Sequence, residues 1–290
     1  MKKWMMGLCG IILIIFLSAC SSTSSGEKDQ TTFEKVKESG KITVGFANEV
    51  PYAYTTPDGE LTGEAVEVAR TILERLGIDE MEGVLTEFGS LIPGLKANRF
   101  DLITAGMYIT PERSKEVDFA NPEYSIGEAI AVKSGNPLQI KSYEDIKENK
   151  DVKIAVMTGA IQFDYLTKVG ISEDQIVIVP DNPSAVSALK SGRVDVIGMT
   201  GPSLQAVLDT ANDSSIERVM DFEQPVIDGK NVRGYGATVF RQDDDDFREA
   251  FNEELEKMKE SGELLEIISG FGFTEQELPG DATAESLSQE

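Results

Sequence analysis

The residues best suited to chemistry lie between Thr104 and Arg113, in the run TAGMYITPER. A short apolar stretch, FDLIT, leads into them and reads as a buried strand. Thr110 stands where a helix N-cap belongs, with Pro111 in the first turn and Glu112 behind it. That placement holds the Arg113 guanidinium one turn into a helix. Beside it, a loop bearing Gly106 lets a small molecule approach the backbone. A planar fork of N–H donors in this position suits bidentate capture of a small carboxylate. Tyr108 sets an aromatic face next to it.

Composition removes several chemistries. The 290 residues contain no histidine, so imidazole is not available as general base, triad member or metal ligand. The two cysteines, Cys9 and Cys20, both fall in the N-terminal segment, and the folded part is expected to hold no disulfide. With 51 acidic against 27 basic residues the net charge is −24, which argues against nucleic acid or an anionic lipid surface as partner. The acidic run Asp243–Asp246 lacks the glycine turn of a calcium loop and reads as a solvated cap for the helix after it. No metal and no cofactor are expected.

The first residues have a different logic. Lys2 and Lys3 precede an uncharged run from Trp4 to Leu17, and Leu17-Ser18-Ala19-Cys20 matches a bacterial lipobox. The apolar run is shorter than the ~20 residues of a spanning helix. Residues 1–19 therefore read as a lipoprotein signal peptide, and Cys20 as the lipidated N-terminus of the mature chain. Residues 20–31 hold no core-forming run and read as a flexible tether. The expected location is the outer face of a cell membrane, anchored in the bilayer through Cys20, most simply in a Gram-positive cell.

The elements that must position Arg113 alternate in type. Strands are predicted at 41–46, 81–87, 100–104, 152–156, 175–179, 193–199 and 236–241. Between them, helices are predicted at 64–76, 91–97, 160–169, 183–191 and 202–211, with further helices at 32–39 and 246–261. On 64–76, Ala65, Val68, Ala69, Ile72, Leu73 and Leu76 share one face, and Gly77 ends the helix. Strands alternating with helices imply an α/β fold with parallel sheets. Residues 274–290 are polar and are expected to be loose.

Five further landmarks, KITVGFANEVPY, GLKANRFDLI, KIAVMTGA, SALKSGRVDV and ELLEIISGFGF, resemble extracellular solute-binding proteins of family 3, the polar-amino-acid type. The likeness runs from about Phe33 to Phe273. It implies a type II periplasmic binding fold: two α/β lobes joined by a two-segment hinge, crossing near Ser125–Glu128 and Asn231–Gly236. Lobe one would comprise 32–125 and 235–273, and lobe two 128–231. The implied role is that of a monomeric receptor, not an enzyme. It would close on a small zwitterionic solute and deliver it to the permease subunits of an ABC importer.

The resemblance also implies roles for single residues. Glu49 would contact the cationic end of a solute, Tyr52 and Phe88 would wall the site, and Arg113 would take the carboxylate. Tyr108 stands where amino-acid binders usually carry a small hydroxyl residue. The family often places Thr at position 161 and Asp at 200 for carboxylate and α-ammonium, whereas this chain has Ile161 and Thr200. A primary ammonium has three donors that need acceptors in a dry site. A cation spread over a ring needs fewer, and gains roughly 0.5–2 kcal/mol from each desolvated aromatic face. A cyclic amidinium carboxylate, ectoine or hydroxyectoine, meets these terms. ANEVPY, EFGSLIPGL and TAGMYITPER resemble the binding proteins for those two compounds. Two alternatives stay open: a polar amino acid or opine bound by the same architecture, and a dehydratase on the same fold. For the dehydratase, Glu49 is the one acid or base candidate at the site.

Overall fold

Runs such as KITVGF, LITAGMY and IAVM are apolar on both faces, the pattern of strands covered by helices above and below. Each becomes an interior strand of one of two sheets. The computed structural model describes residues 30–289. The expected leader, Cys20 and all but the end of the tether lie outside the described residues.

The chain opens with α1 (Thr32–Ser39), capped by Thr31, and β1 (Lys41–Phe46). A small hairpin of β2 (Tyr54–Thr55) and β3 (Leu61–Thr62) follows, then α2 (Glu64–Arg75), β4 (Glu80–Leu85), α3 (Leu91–Lys96), β5 (Leu102–Tyr108) and α4 (Pro111–Ser114). Strands β6 (Asp118–Phe119) and β7 (Tyr124–Ile126) lead to β8 (Glu128–Lys133), which starts the second sheet. There α5 (Tyr143–Glu148), β9 (Ile154–Met157), α6 (Gln162–Val169), β10 (Ile176–Val179), α7 (Asn182–Ser191), β11 (Val196–Thr200), α8 (Gly201–Ala211) and β12 (Ile216–Arg218) alternate. After the hairpin β13 (Val226–Ile227) and β14 (Lys230–Asn231), the chain returns through β15 (Gly234–Phe240) to the first sheet. It ends in α9 (Asp245–Ser261), α10 (Glu263–Ser269) and α11 (Ala284–Ser288).

The sheet orders are β4-β1-β5-β15-β6, with β7 also on β15, and β10-β9-β11-β8-β12. Each sheet is parallel except where a crossover strand enters: β15 lies antiparallel to β5, and β8 antiparallel to β11. The C-terminal ends of β1, β5, β9 and β11 carry the loops that hold the site, as open α/β sheets generally arrange.

Two expectations are corrected. Strand β5 does not stop at 104 but runs through Tyr108, because β15 pairs with its second half, Gly236 opposite Tyr108 and Ala237 opposite Met107. Gly106 is therefore a strand residue, not a loop residue. The segment beyond Thr274 is not loose. Thr274 caps a short turn at Glu275–Glu277, and Leu278 and Leu287 pack on the core. The Ser288 and Ser114 hydroxyls lie 2.8 Å apart, and Arg233 holds the Gln276 carbonyl. A tail with few apolar residues settles because the first sheet offers those few a place.

Behind the site, Glu64 at the start of α2 and Glu123 before β7 are fully buried. Glu123 Oε1 accepts from the Thr238 amide at 2.9 Å and hydroxyl at 2.7 Å. Its Oε2 and both oxygens of Glu64 have no partner. Burial lifts both carboxyls, Glu123 to about 7, with Thr238 and Lys259 opposing; the charge of Glu123 lifts Glu64 further. A carboxyl whose folded pKa is raised lends stability that is full below its unfolded value, near 4.5, and is lost as pH rises through about 7. Melting temperature is thus expected to fall between pH 5 and pH 9. Glu64→Gln should flatten that fall and raise Tm at pH 8.5 by about 3–6 °C, read by thermal denaturation at several pH values.

Candidate ligand-binding site

Thr110 caps α4 as its position implies: its hydroxyl accepts from the Arg113 amide at 3.2 Å, with Pro111 in the first turn. The Arg113 fork, however, is not left whole for a solute. Nη1 donates to the Tyr108 carbonyl at 2.7 Å, and Nη2 to the Gly159 carbonyl of the other lobe at 3.0 Å. The guanidinium carbon lies 5.6 Å from the centre of the Phe88 ring, within cation–π range. Burial pulls its pKa below the ordinary value, but an arginine remains a cation there.

Gly106 has φ +59°, and a Cβ on it would stand 2.6 Å from the Tyr52 ring and 2.8 Å from the Tyr124 hydroxyl. The close approach it permits is therefore that of an aromatic ring, not of a solute alone. Tyr52 stacks on Tyr124 with centroids 5.3 Å apart, and Tyr108 meets Tyr124 edge-on at 6.3 Å. The Tyr124 hydroxyl closes the group by donating to the Gly106 carbonyl at 2.8 Å. Gly234 of β15 does the same service for Tyr108, since a Cβ there would fall inside the Tyr108 ring contact.

Glu49 lies in the loop after β1, bridged to Ala53 by paired backbone hydrogen bonds. Its Oε1 accepts from Ser203 Oγ at 2.6 Å and Asn182 Nδ2 at 3.0 Å, both on the second lobe. Burial pushes this carboxyl up while the two hydrogen bonds oppose it. Tyr52 donates across the cleft to the Thr200 hydroxyl at 2.8 Å. Ile161 precedes α6, makes no cap, and joins the core cluster that holds Tyr52 and Tyr108.

All eight residues singled out for ligand contact, Glu49, Tyr52, Phe88, Gly106, Tyr108, Arg113, Ile161 and Thr200, line one cavity. Met157, Ala160, Gln162, Asn182, Gly198 and Met199 complete its wall, and no sequence expectation names them. Gln162, Asn182 and Ser203 all stand in the first turns of helices after strand ends, which is the one signal that could have marked them. The cavity is small, about 30 Å³.

This fold and cleft are those of a known class. Residues 42–274 match the bacterial extracellular solute-binding proteins, family 3, and the chain belongs to that family. It is 40% identical over 260 residues to the probable amino-acid ABC transporter periplasmic-binding protein y4tE of Sinorhizobium fredii, covering 88% of this chain and 85% of that one. It superposes on the crystal structure of EhuB in complex with hydroxyectoine with a TM-score of 0.80 and 35% identity, over 89% of this chain and 99% of that one. It also resembles the ancestral amino-acid-binding protein AncCDT-1, a precursor of cyclohexadienyl dehydratase, with TM-score 0.72 and 26% identity over 83% and 99% of the two chains. The protein is thus a solute-binding component of an amino-acid-type ABC importer, a class that binds small amino-acid-like solutes and works with membrane permease subunits.

Gly106→Ala should cost about 2–4 kcal/mol, from the left-handed backbone and the ring it would strike. Chemical denaturation reads the loss.

Proposed function

We propose that the protein captures ectoine or hydroxyectoine. The observation that carries the reading is the meeting of three rings, Tyr52, Phe88 and Tyr108, with one carboxylate, Glu49, and one guanidinium, Arg113, around a single cavity. Rings and Glu49 suit a cation delocalised over an amidinium, and Arg113 suits its carboxylate. On the second lobe, Ile161 offers no polar atom and Thr200 is engaged by Tyr52. An α-amino acid therefore lacks the Thr and Asp that amino-acid binders provide for its carboxylate and its ammonium. The likeness to EhuB, bound to hydroxyectoine, supports the same reading. A micromolar affinity corresponds to about −8 kcal/mol, within reach of three ring contacts and two charge-assisted pairs.

In this reading lobe one (32–125 and 235–273) and lobe two (128–231) part, admit the solute and close on it by hinge motion. The closed form is what the permease receives, and the receptor carries out no chemistry on its cargo. The lipobox ending at Cys20 supports a lipid anchor on the outer face of the membrane.

Calorimetric titration should show either ectoine binding at least a hundredfold tighter than glutamine, arginine or proline. Tyr108→Ser should cost roughly 1–2 kcal/mol of that affinity, and Arg113→Lys should weaken it strongly, since a point charge does not reproduce the fork. Tight binding of a common α-amino acid with no heat from the ectoines would overturn the assignment. For the anchor, Cys20→Ser should move the protein from the membrane fraction to the medium and abolish palmitate labelling. Equal labelling of both forms would contradict it.

A further inference from the structure

Glu128, the first residue of β8, is 3% exposed and takes no part in the contacts described so far. Its backbone is fixed on both sides by Gln224: the Glu128 amide donates to Oε1 at 2.8 Å, and Gln224 Nε2 donates to the Glu128 carbonyl at 2.8 Å. In the sheet it lies opposite Thr200, a residue of the cavity wall. The side chain has one bond, with Oε2 accepting from Gln162 Nε2 at 2.7 Å, while Oε1 has no partner. Gln162, the first residue of α6, is itself part of the cavity wall.

An amide side chain carries two donors at one end and an acceptor at the other, and its neighbours decide which end faces which way. A carboxylate only accepts. It therefore takes the Nε2 end of Gln162 and turns the Oε1 end away from itself. A protonated carboxyl donates as well, and tolerates the reversed amide, which would offer N–H to the cavity instead.

We propose that Glu128 is a positioning residue of the binding site, whose carboxylate holds Gln162 by its Nε2 end so that Oε1 stands as an acceptor for an N–H donor of the solute. The proposal rests on the reading of the site as one for a cation with N–H groups. The other ionisable groups near Glu128 are Glu49 from the β1 loop, Tyr108 from β5, Tyr143 from α5 and Tyr165 from α6. Burial raises all three tyrosines, which stay neutral. Glu49 is raised too by burial, with its bonds to Ser203 and Asn182 opposing the shift. Glu128 is lifted to about 7 by burial and the charge of Glu49, with Gln162 opposing. Its charge, and with it the hold on the amide, changes within the ordinary range of pH.

Two measurements test this, one of them independent of any solute. In amide-detected NMR of the protein, the Gln162 side-chain signals, assigned by their loss in Gln162→Ala, should shift with a midpoint near pH 7, and the shift should vanish in Glu128→Gln. Ectoine affinity should rise about tenfold from pH 5.5 to 8.5 in the parent and change less than twofold in Glu128→Gln. Glu128→Asp, which keeps the charge but shortens its reach, stands in should Glu128→Gln fail to fold, and should likewise lose the NMR shift. Gln162 signals that ignore pH in the parent overturn the proposal, as does an affinity profile that persists unchanged in Glu128→Gln. If the signals titrate as described but no ectoine binds, the positioning role stands and the solute assignment falls.

Discussion

A carboxylate withdrawn from water must be met by donors, and Glu49 is met by donors that belong to the opposite lobe. Ser203 and Asn182 stand in the first turns of α8 and α7, where the backbone also presents its positive end. The loop that carries Glu49 is stiffened by its bridge to Ala53, and Tyr52 lies within it, stacked on Tyr124 and bonded to Thr200. Gly63 has no Cβ because the Tyr52 carbonyl would stand 2.3 Å from it. Displacing the carboxylate therefore displaces the ring and both cross-cleft bonds with it. The geometry of the cleft hangs on this one buried charge.

The groups that join the lobes are the groups that suit a zwitterion. Glu49 and Arg113 carry opposite charge, and each is engaged across the cleft, Arg113 by the neutral Gly159 carbonyl. A solute carboxylate competes well for the guanidinium, because charge-assisted hydrogen bonds are about twice as strong as neutral ones. In the proposed binding mode that exchange would replace a lobe-to-lobe contact by a lobe-to-solute-to-lobe contact at the same atoms, and closure and capture would draw on one set of side chains.

Acidity runs through the molecule at two scales. The net charge of −24 surrounds it with a field that disfavours anions at long range, but a zwitterion has no net charge to repel. Inside, Glu49, Glu64, Glu123 and Glu128 are withdrawn from water near the site, and burial raises the pKa of each. They differ in what holds them: two cross-cleft donors for Glu49, Thr238 for Glu123, one amide for Glu128, and none for Glu64.

Much of this was legible in the sequence, because it is written locally. The alternation of strands and helices follows from apolar spacing, and helices such as α1, α2, α7 and α9 begin and end within a residue or two of their predicted bounds. The cap at Thr110 and the placement of Arg113 need only neighbours in the chain. What the sequence could not decide were contacts between distant segments. By local pattern Gly106 reads as a loop residue, because nothing local reveals that β15 extends β5 past it, or that the Tyr52 ring needs its missing Cβ. The tail reads as loose in sequence because its two leucines find their partners only on the assembled first sheet. Asn182 and Ser203 face Glu49 from 133 and 154 residues away, and Glu128 meets Gln162 across 34. Residue types and spacing set which chemistry was available. How the two sheets approach one another set which donor meets which acceptor, and that depends on packing that no local pattern encodes.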